Sequence, residues 1–235
     1  MELAAKYACE GPRYTSYPTA PQFHQDFPVD QYLAWQQRDG DHKRAPLSLY
    51  LHLPFCRDIC YYCACNKIVT RQKGVARQYL DRLQREIEQQ SALVGRSRPI
   101  TQMHWGGGTP TYLDNAEITE LMHTLASNFR LLDKGYREYS IEIDPRACAP
   151  GTLAHLRALG FNRVSFGVQD FDPYVQVAVN RIQSQSLTFA AIQDARNAGF
   201  GSISLDLIYG LPRQTRSSFA RTLTEVTAIR PERLS

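Results

Sequence analysis

Four of the six cysteines fall within ten residues, at Cys56, Cys60, Cys63 and Cys65, while Cys9 and Cys148 stand alone. Thiolates are the usual ligands of iron–sulfur clusters. Three of them spaced x3 and x2 on one loop can converge on three corners of a 4Fe–4S cube, which makes Cys56, Cys60 and Cys63 the candidate ligands and leaves one iron open. The amino and carboxylate groups of S-adenosylmethionine can chelate such an iron. Electron transfer into the sulfonium then breaks a C–S bond and yields a 5′-deoxyadenosyl radical. In such chemistry the cofactors carry the difficult step and the protein positions them. Zinc bound by four thiolates is the alternative, although structural zinc usually takes its ligands as two separated hooks of closely spaced cysteines. Cys65 lies beyond the three-ligand set and reads as a fourth thiol near it. Cys9 and Cys148 read as incidental.

A loop of this kind needs a scaffold. Five segments read as strands: Leu47–Leu53, Thr101–Trp105, Glu138–Ile143, Arg163–Val168 and Ser202–Ile208. Between them lie helical patterns. Val75, Tyr79, Leu80, Leu83 and Ile87 recur at helical spacing, as do Ile118, Leu121, Met122, Leu125 and Phe129 after a capping-box sequence from Asp114 to Glu117. Further helices are expected near Gly151–Leu159, Ser186–Ala198 and Ser217–Ile229. Gly160 and Gly199 sit where a helix C-terminus wants a left-handed residue. Strands alternating with helices indicate parallel β/α units.

Parallel strands covered on both faces read as continuous apolar runs. These five alternate instead. Leu47, Leu49, Leu51 and Leu53 share one face of the first strand, opposite Ser48, Tyr50 and His52; Ile141 and Ile143 lie opposite Ser140, Glu142 and Asp144. One apolar face for helices and one polar face throughout imply a β/α barrel with a wet or liganded interior, unlike an ordinary eight-stranded barrel filled by branched side chains.

Composition narrows the field. The net charge of +4, from 27 basic and 23 acidic residues, is too weak to argue for nucleic acid and suits a small anionic substrate. No apolar run approaches the roughly 18 residues of a membrane helix, so no membrane partner is expected. The first twenty residues lack a basic start followed by an apolar stretch, and a cytoplasmic protein is the expectation. Reducing conditions would keep the thiols free for metal.

The run from Tyr50 to Pro54, Phe55 and Cys56 into the cysteine cluster resembles the radical S-adenosylmethionine (radical SAM) superfamily. Cys63-Ala-Cys65-Asn-Lys67, the Gly11–Ala20 segment, His104-Trp-Gly-Gly-Gly-Thr-Pro110, Ser140-Ile-Glu142, Gly167–Phe171, Asn180-Arg181 and Asp206–Pro212 resemble its oxygen-independent coproporphyrinogen III oxidase branch. The likeness covers nearly the whole chain. The related haem-chaperone branch lacks a cysteine at the position of Cys65. A chaperone-like relative that binds haem without decarboxylation, or an inactive fragment, remains the alternative.

The resemblance implies an α/β fold of the incomplete (β/α)6 type. Residues 1–45 would be an N-terminal extension and 46–235 a core domain of five β/α units, with the sixth strand cut off at its start near Arg233. It implies two S-adenosylmethionine molecules. Tyr50, Gly107 and Glu142 match contacts to the cluster-bound one, with Glu142 holding ribose hydroxyls. Tyr62, Gly108, Thr109, Gln169, Arg181 and Asp206 match contacts to the second. The implied reaction is decarboxylation of two propionates of coproporphyrinogen III to vinyl groups, giving protoporphyrinogen IX, with an electron donor and an electron acceptor of unspecified identity. The full-length form is expected to be a monomer. Arg13, Lys67 and Arg71 are candidates to meet the propionates, since cations pair with carboxylates. His52 and His104 face the interior and are read as satisfied histidines without a catalytic role. The fifth strand, lacking a neighbour, is expected to present an open edge.

Overall fold

Alternating side chains decide which way each strand faces, and the helices then cover the apolar side. The computed structural model describes residues 5–6, 19–37 and 45–235; Cys9, Arg13 and nearly all of the Gly11–Ala20 motif lie outside the described residues. The chain divides into two units, Met1–Asp39 and Gly40–Ser235. Helix α1 (Val29–Gln37) belongs to the first.

In the second unit, strand β1 (Leu47–Leu53) runs into the short β2 (Phe55–Cys56), and a loop returns through β3 (Ile68–Val69) to helix α2 (Gly74–Val94). Then come β4 (Pro99–Gly107), α3 (Asn115–Asn128), β5 (Arg130–Leu131), β6 (Glu138–Ile143) and α4 (Thr152–Ala158). Next are β7 (Arg163–Gln169), α5 (Pro173–Ala178), α6 (Gln185–Asn197), β8 (Ser202–Leu207), α7 (Arg216–Ile229) and β9 (Arg233–Leu234). The main sheet is ordered β1-β4-β6-β7-β8-β9 with every neighbour parallel, and β5 pairs with the start of β4.

The apolar face is the core. Leu51, Leu53, Met103, Trp105, Ile141, Ile143, Val164, Phe166, Ile203 and Leu205 are buried there. Leu80 and Ile87 of α2, Ile118 and Leu125 of α3, Leu156 of α4, Ile192 of α6 and Val226 of α7 pack against them. Each fully buried side chain of this size stabilises the fold by about 1.5–3 kcal/mol relative to exposure. Two helix ends take the same form: Gly160 (φ 104°) and Gly199 (φ 85°) are left-handed. The amides of Phe161 and Phe200 behind them reach back to the carbonyls of Leu156 and Ala195, a six-to-one closure that satisfies otherwise orphaned helix carbonyls.

The polar face is concave. Glu138 of β6 takes Arg163 of the adjacent β7 and also Arg233 of β9, at 3.5 Å. Ser48 of β1, His104 of β4, Ser140 of β6, Ser165 of β7, Ser204 of β8 and Ser235 all line one cavity on this face, so the sheet curls into an open barrel. The sixth strand is present as its first residues, as expected, but the expectation of an open edge on the fifth strand needs correction. Arg233–Leu234 pairs with Ser204 and Leu205, and Ser235 exchanges backbone bonds with Leu205 and Leu207 at 3.0 and 2.9 Å. The outer edge of β8 is therefore covered from Ile203 to Leu207. Even a two-residue strand suffices, because the backbone of Glu232 and Ser235 on either side of it also bonds to β8.

Candidate active site

The cysteine loop is held at both ends and from the side. Its two stems pair as β2 and β3, with Ile68 N donating to Pro54 O at 2.7 Å and Thr70 N to Cys56 O at 2.9 Å. Lys67 Nζ donates to the carbonyl of Cys63 at 2.8 Å, and His52 Nε2 to that of Asn66 at 2.7 Å. From behind α5, Asn180 Nδ2 donates to Ile59 O at 2.7 Å and Val179 O accepts from Tyr61 N at 3.0 Å. Asn180 has φ 54°, a left-handed conformation that asparagine tolerates better than most residues. Cys56, Cys60, Cys63, Cys65 and Cys148 are all free thiols. Cys56 Sγ lies 3.6 Å from Thr109 Oγ1.

Cys60 has the most elaborate surroundings. Nη2 of Arg146 and Nη1 of Arg181 both lie 3.6 Å from its Sγ. Asp144, at the end of β6, ties the two guanidiniums together, at 2.7 Å from Arg146 and 3.2 Å from Arg181. Burial opposes its ionisation, but the Arg146 bond and the charges of both arginines outweigh that and hold the Asp144 carboxyl below the usual aspartate range. Arg181 is buried, donates also to Gly167 O at 2.7 Å, and keeps an unpartnered Nε. A Cβ at Gly167 would come within 2.9 Å of Arg181 Nη2, so glycine there is what lets the guanidinium lie flat on β7. Arg146 and Asp144 escaped sequence reasoning, because nothing local to them signals a sulfur 86 residues away.

The Gly106–Gly108 ridge at the end of β4 makes room first of all for the protein itself. A Cβ at Gly106 would approach Glu142 Oε1 to 2.6 Å; one at Gly107 (φ 109°) would meet the His52 ring at 2.6 Å; one at Gly108 would meet the Pro54 backbone at 2.7 Å. Freed of side chains, Gly108 N bonds Leu53 O and Thr109 N bonds Phe55 O, while Gly107 N donates to Glu142 Oε2 at 3.1 Å. On β8, Asp206 accepts from Ser165 Oγ at 2.9 Å. Burial pushes its carboxyl up, with the Glu142 charge adding to the effect. Gln169 closes β7 at φ 67°, and backbone strain in a non-glycine residue concentrates at functional sites.

These groups line one cavity of about 190 Å3. Of the expected site residues, Cys56, Cys60, Cys63, Tyr62, Gly107, Gly108, Thr109, Glu142, Gln169, Arg181 and Asp206 line it; Tyr50 does not. Tyr50 is exposed, stacks on His104 at 5.8 Å and donates to His52 Nδ1 at 3.1 Å. Arg71 makes an exposed pair with Asp58 at 2.6 Å, and Lys67 donates to the cysteine loop and lines the cavity.

Residues 50–226 match the Radical SAM superfamily. The chain belongs to that superfamily. It is 53% identical to the oxygen-independent coproporphyrinogen III oxidase of Pseudomonas aeruginosa over all of this chain and 51% of the relative. Its fold matches the solved structure of coproporphyrinogen III oxidase from Escherichia coli, described as a radical SAM enzyme, with a TM-score of 0.90 and 49% identity over 100% of this chain and 51% of that one. A radical SAM methyltransferase from Kitasatospora setae, 15% identical, shares the fold at a TM-score of 0.57 over 83% of this chain and 36% of that one. The chain spans about half the length of the curated relatives it matches.

The donor set fits the cluster of a radical SAM protein. Among the described residues no three His, Cys, Asp or Glu side chains converge on a single-ion site. A cube asks for something different, one thiolate on each of three irons, and three unpaired thiols around one cavity supply that. Burial pushes the Cys56 thiol up, so metal binding must displace its proton. Burial, and then neighbouring Cys63, pushes the Cys65 thiol up to about 11, and it lines the same cavity as a fourth free thiol.

Proposed function

We propose that this chain is the radical-generating part of an oxygen-independent coproporphyrinogen III oxidase, with 46–235 as its core domain and 1–45 as an N-terminal extension. Cys56, Cys60 and Cys63 would hold a 4Fe–4S cluster. When bound, the cluster supplies an electron to the sulfonium of S-adenosylmethionine, releasing methionine and a 5′-deoxyadenosyl radical that abstracts hydrogen from a propionate β-carbon. Carbon dioxide then leaves, one electron passes to an acceptor, and a vinyl group remains; two such events give protoporphyrinogen IX.

The observation that supports this reading most is the meeting, in one cavity, of the three thiols with Glu142, the Gly107–Thr109 backbone, Gln169, Arg181 and Asp206. Glu142 presents a half-exposed carboxylate beside the glycine ridge, suited to paired ribose hydroxyls of the cluster-bound molecule, near which Tyr50 and Gly107 also stand. Tyr62, Gly108, Thr109, Gln169, Arg181 and Asp206 would receive a second molecule. Arg146 and Arg181 place positive charge against the Cys60 sulfur, where the anionic cluster would sit. The flanking segments of the loop, pinned by Lys67 and Asn180, keep the sulfurs from scattering into solvent.

The test is anaerobic reconstitution with iron and sulfide, then incubation with S-adenosylmethionine, a reductant and coproporphyrinogen III. The expected results are about four irons and four sulfides per chain and 5′-deoxyadenosine formation, with little or no turnover of coproporphyrinogen by this half-length chain. A chain that loads a cluster but cleaves no S-adenosylmethionine would overturn the radical reading. In a chain extended to the length of the relatives, cleavage that proceeds identically with and without coproporphyrinogen, with no vinyl product, would overturn the substrate.

A further inference from the structure

His104, Ser140 and Gly106 had no place among the expected site residues, yet His104 and Gly106 stand against Glu142 and Ser140 holds His104. Nε2 of His104 lies 3.0 Å from Glu142 Oε1, and its Nδ1 meets Ser140 Oγ. The ring stacks on Tyr50 with planes 12° apart. The other carboxylate oxygen of Glu142 is taken by Gly107 N–H at 3.1 Å. Gly106 completes the arrangement by absence: a Cβ there would stand 2.6 Å from Glu142 Oε1 and 2.9 Å from His104 Nε2, on top of the hydrogen bond itself.

The donor inventory fixes the direction of the bond to Glu142. An ionised carboxylate only accepts, so a proton sits on Nε2 and points at Glu142, while Nδ1 pairs with the Ser140 hydroxyl, which can donate or accept. Both ring nitrogens are satisfied, and the ring cannot flip without losing both bonds. Tyr50 stacks on the outer face of the ring. The Glu142 carboxylate is thus held at one oxygen by a locked imidazole and at the other by the backbone of the glycine ridge, before any ligand arrives.

We propose that His104 is a positioning residue for S-adenosylmethionine, acting through Glu142, with Ser140 holding the ring's orientation. This rests on the reading that Glu142 holds the ribose. A free glutamate must be ordered when ligand binds, and ordering one such side chain weakens binding by about two- to tenfold; pre-ordering removes that loss.

The experiment measures equilibrium binding of S-adenosylmethionine to the anaerobically reconstituted 235-residue chain, together with iron content and thermal unfolding. Glu142→Ala is expected to bind about tenfold to a hundredfold more weakly. His104→Asn, which leaves no donor at the Nε2 position, should lose about three- to tenfold. His104→Gln places an amide N–H close to where Nε2 was and should stay within about twofold of the unsubstituted chain. The His104→Asn, Glu142→Ala double variant should bind like Glu142→Ala alone, since positioning has no effect once its object is gone. Iron content should be unchanged throughout. A His104→Asn chain with a full cluster and undiminished affinity overturns the proposal, as does a loss that persists in the Glu142→Ala background. Undiminished affinity in Glu142→Ala overturns the ribose reading on which it rests. If His104→Asn does not fold, Ser140→Ala takes its place: a loss that vanishes without Glu142 supports the proposal, and an equal loss in both backgrounds refutes it.

Discussion

At the scale of single residues, the site is built by pairing charged and polar groups that would be costly alone. Asp144, Arg146 and Arg181 are the clearest case, since removing the carboxylate would leave two guanidiniums together in a largely buried place. Asp144→Asn should therefore destabilise the cluster-free chain by about 3 kcal/mol. The pH dependence follows from the direction of the shift. A carboxyl lowered in the folded state contributes its full stabilisation above its unfolded value, near 3.9 for aspartate, and loses it as pH falls through the folded value. The stability gap between the unsubstituted chain and Asp144→Asn, measured by denaturant unfolding, should be constant from about pH 5 upward and shrink below about pH 4. A gap that stays the same at pH 3 would show that the carboxylate charge is not what matters. The thiols give a second contrast. Cys60→Ala should lose most of the iron and the visible absorbance of the reconstituted protein, whereas Cys148→Ala should keep both. Full loading in Cys60→Ala would remove Cys60 from the ligand set.

At the scale of elements, the helices contribute packing and the strand ends contribute function. Helix α3 begins with a complete capping box, in which Asp114 accepts from Glu117 N and Glu117 returns a bond to Asp114 N. Asp114→Ala should cost about 1 kcal/mol of stability and leave iron loading untouched, because α3 meets the sheet through Ile118 and Leu125 and contributes no residue to the lining of the thiol cavity. Loss of cluster loading in that variant would mean that the β4–α3 connection transmits strain to the glycine ridge. The strand ends behave differently. Gly107, Glu142, Gln169 and Asp206 all come from the last residues of β4, β6, β7 and β8. Parallel strands carry their ends to the same rim, so four distant stretches of sequence meet there without any one of them needing a long loop.

At the scale of the whole molecule, curvature turns a row of polar faces into a cavity. The lining of that cavity from Ser48 of β1 to Ser235 is its signature, and β9 is the element that covers the outer edge of β8. Deleting Arg233–Ser235 should strip the backbone bonds that Leu205 and Leu207 make with Ser235, and expose a strand edge to association. The expected outcome is a fall in Tm of roughly 3–8 °C with a larger self-associated fraction on gel filtration. An unchanged Tm and elution volume would mean that β9 adds nothing to the sheet in solution. No helix of the described residues is long and apolar enough to cross a membrane.

Features governed by near neighbours were legible from the amino-acid order. Cysteine spacing defined the loop, period-two alternation defined five strands and their two faces, and the Asp114 capping box and the Gly160 and Gly199 turns followed from residues within one helical turn of each other. The superfamily was legible too, through motifs that recur in order. What waited for the tertiary structure was everything set by strand register and sheet curvature. Which arginines face Cys60, from 86 and 121 residues away, depends on where β6 and the segment after β7 end relative to the cysteine loop. The glycine ridge read as room for a ligand, and only the tertiary structure shows that it also leaves room for His52, the Pro54 backbone and the His104–Glu142 bond. His104 read as a satisfied histidine, which it is, but alternation alone does not reveal that its partner is Glu142. That pairing arises because His104 lies directly opposite Ser140 in the β4–β6 ladder, which places Glu142, two residues further along the same face, within reach of the ring.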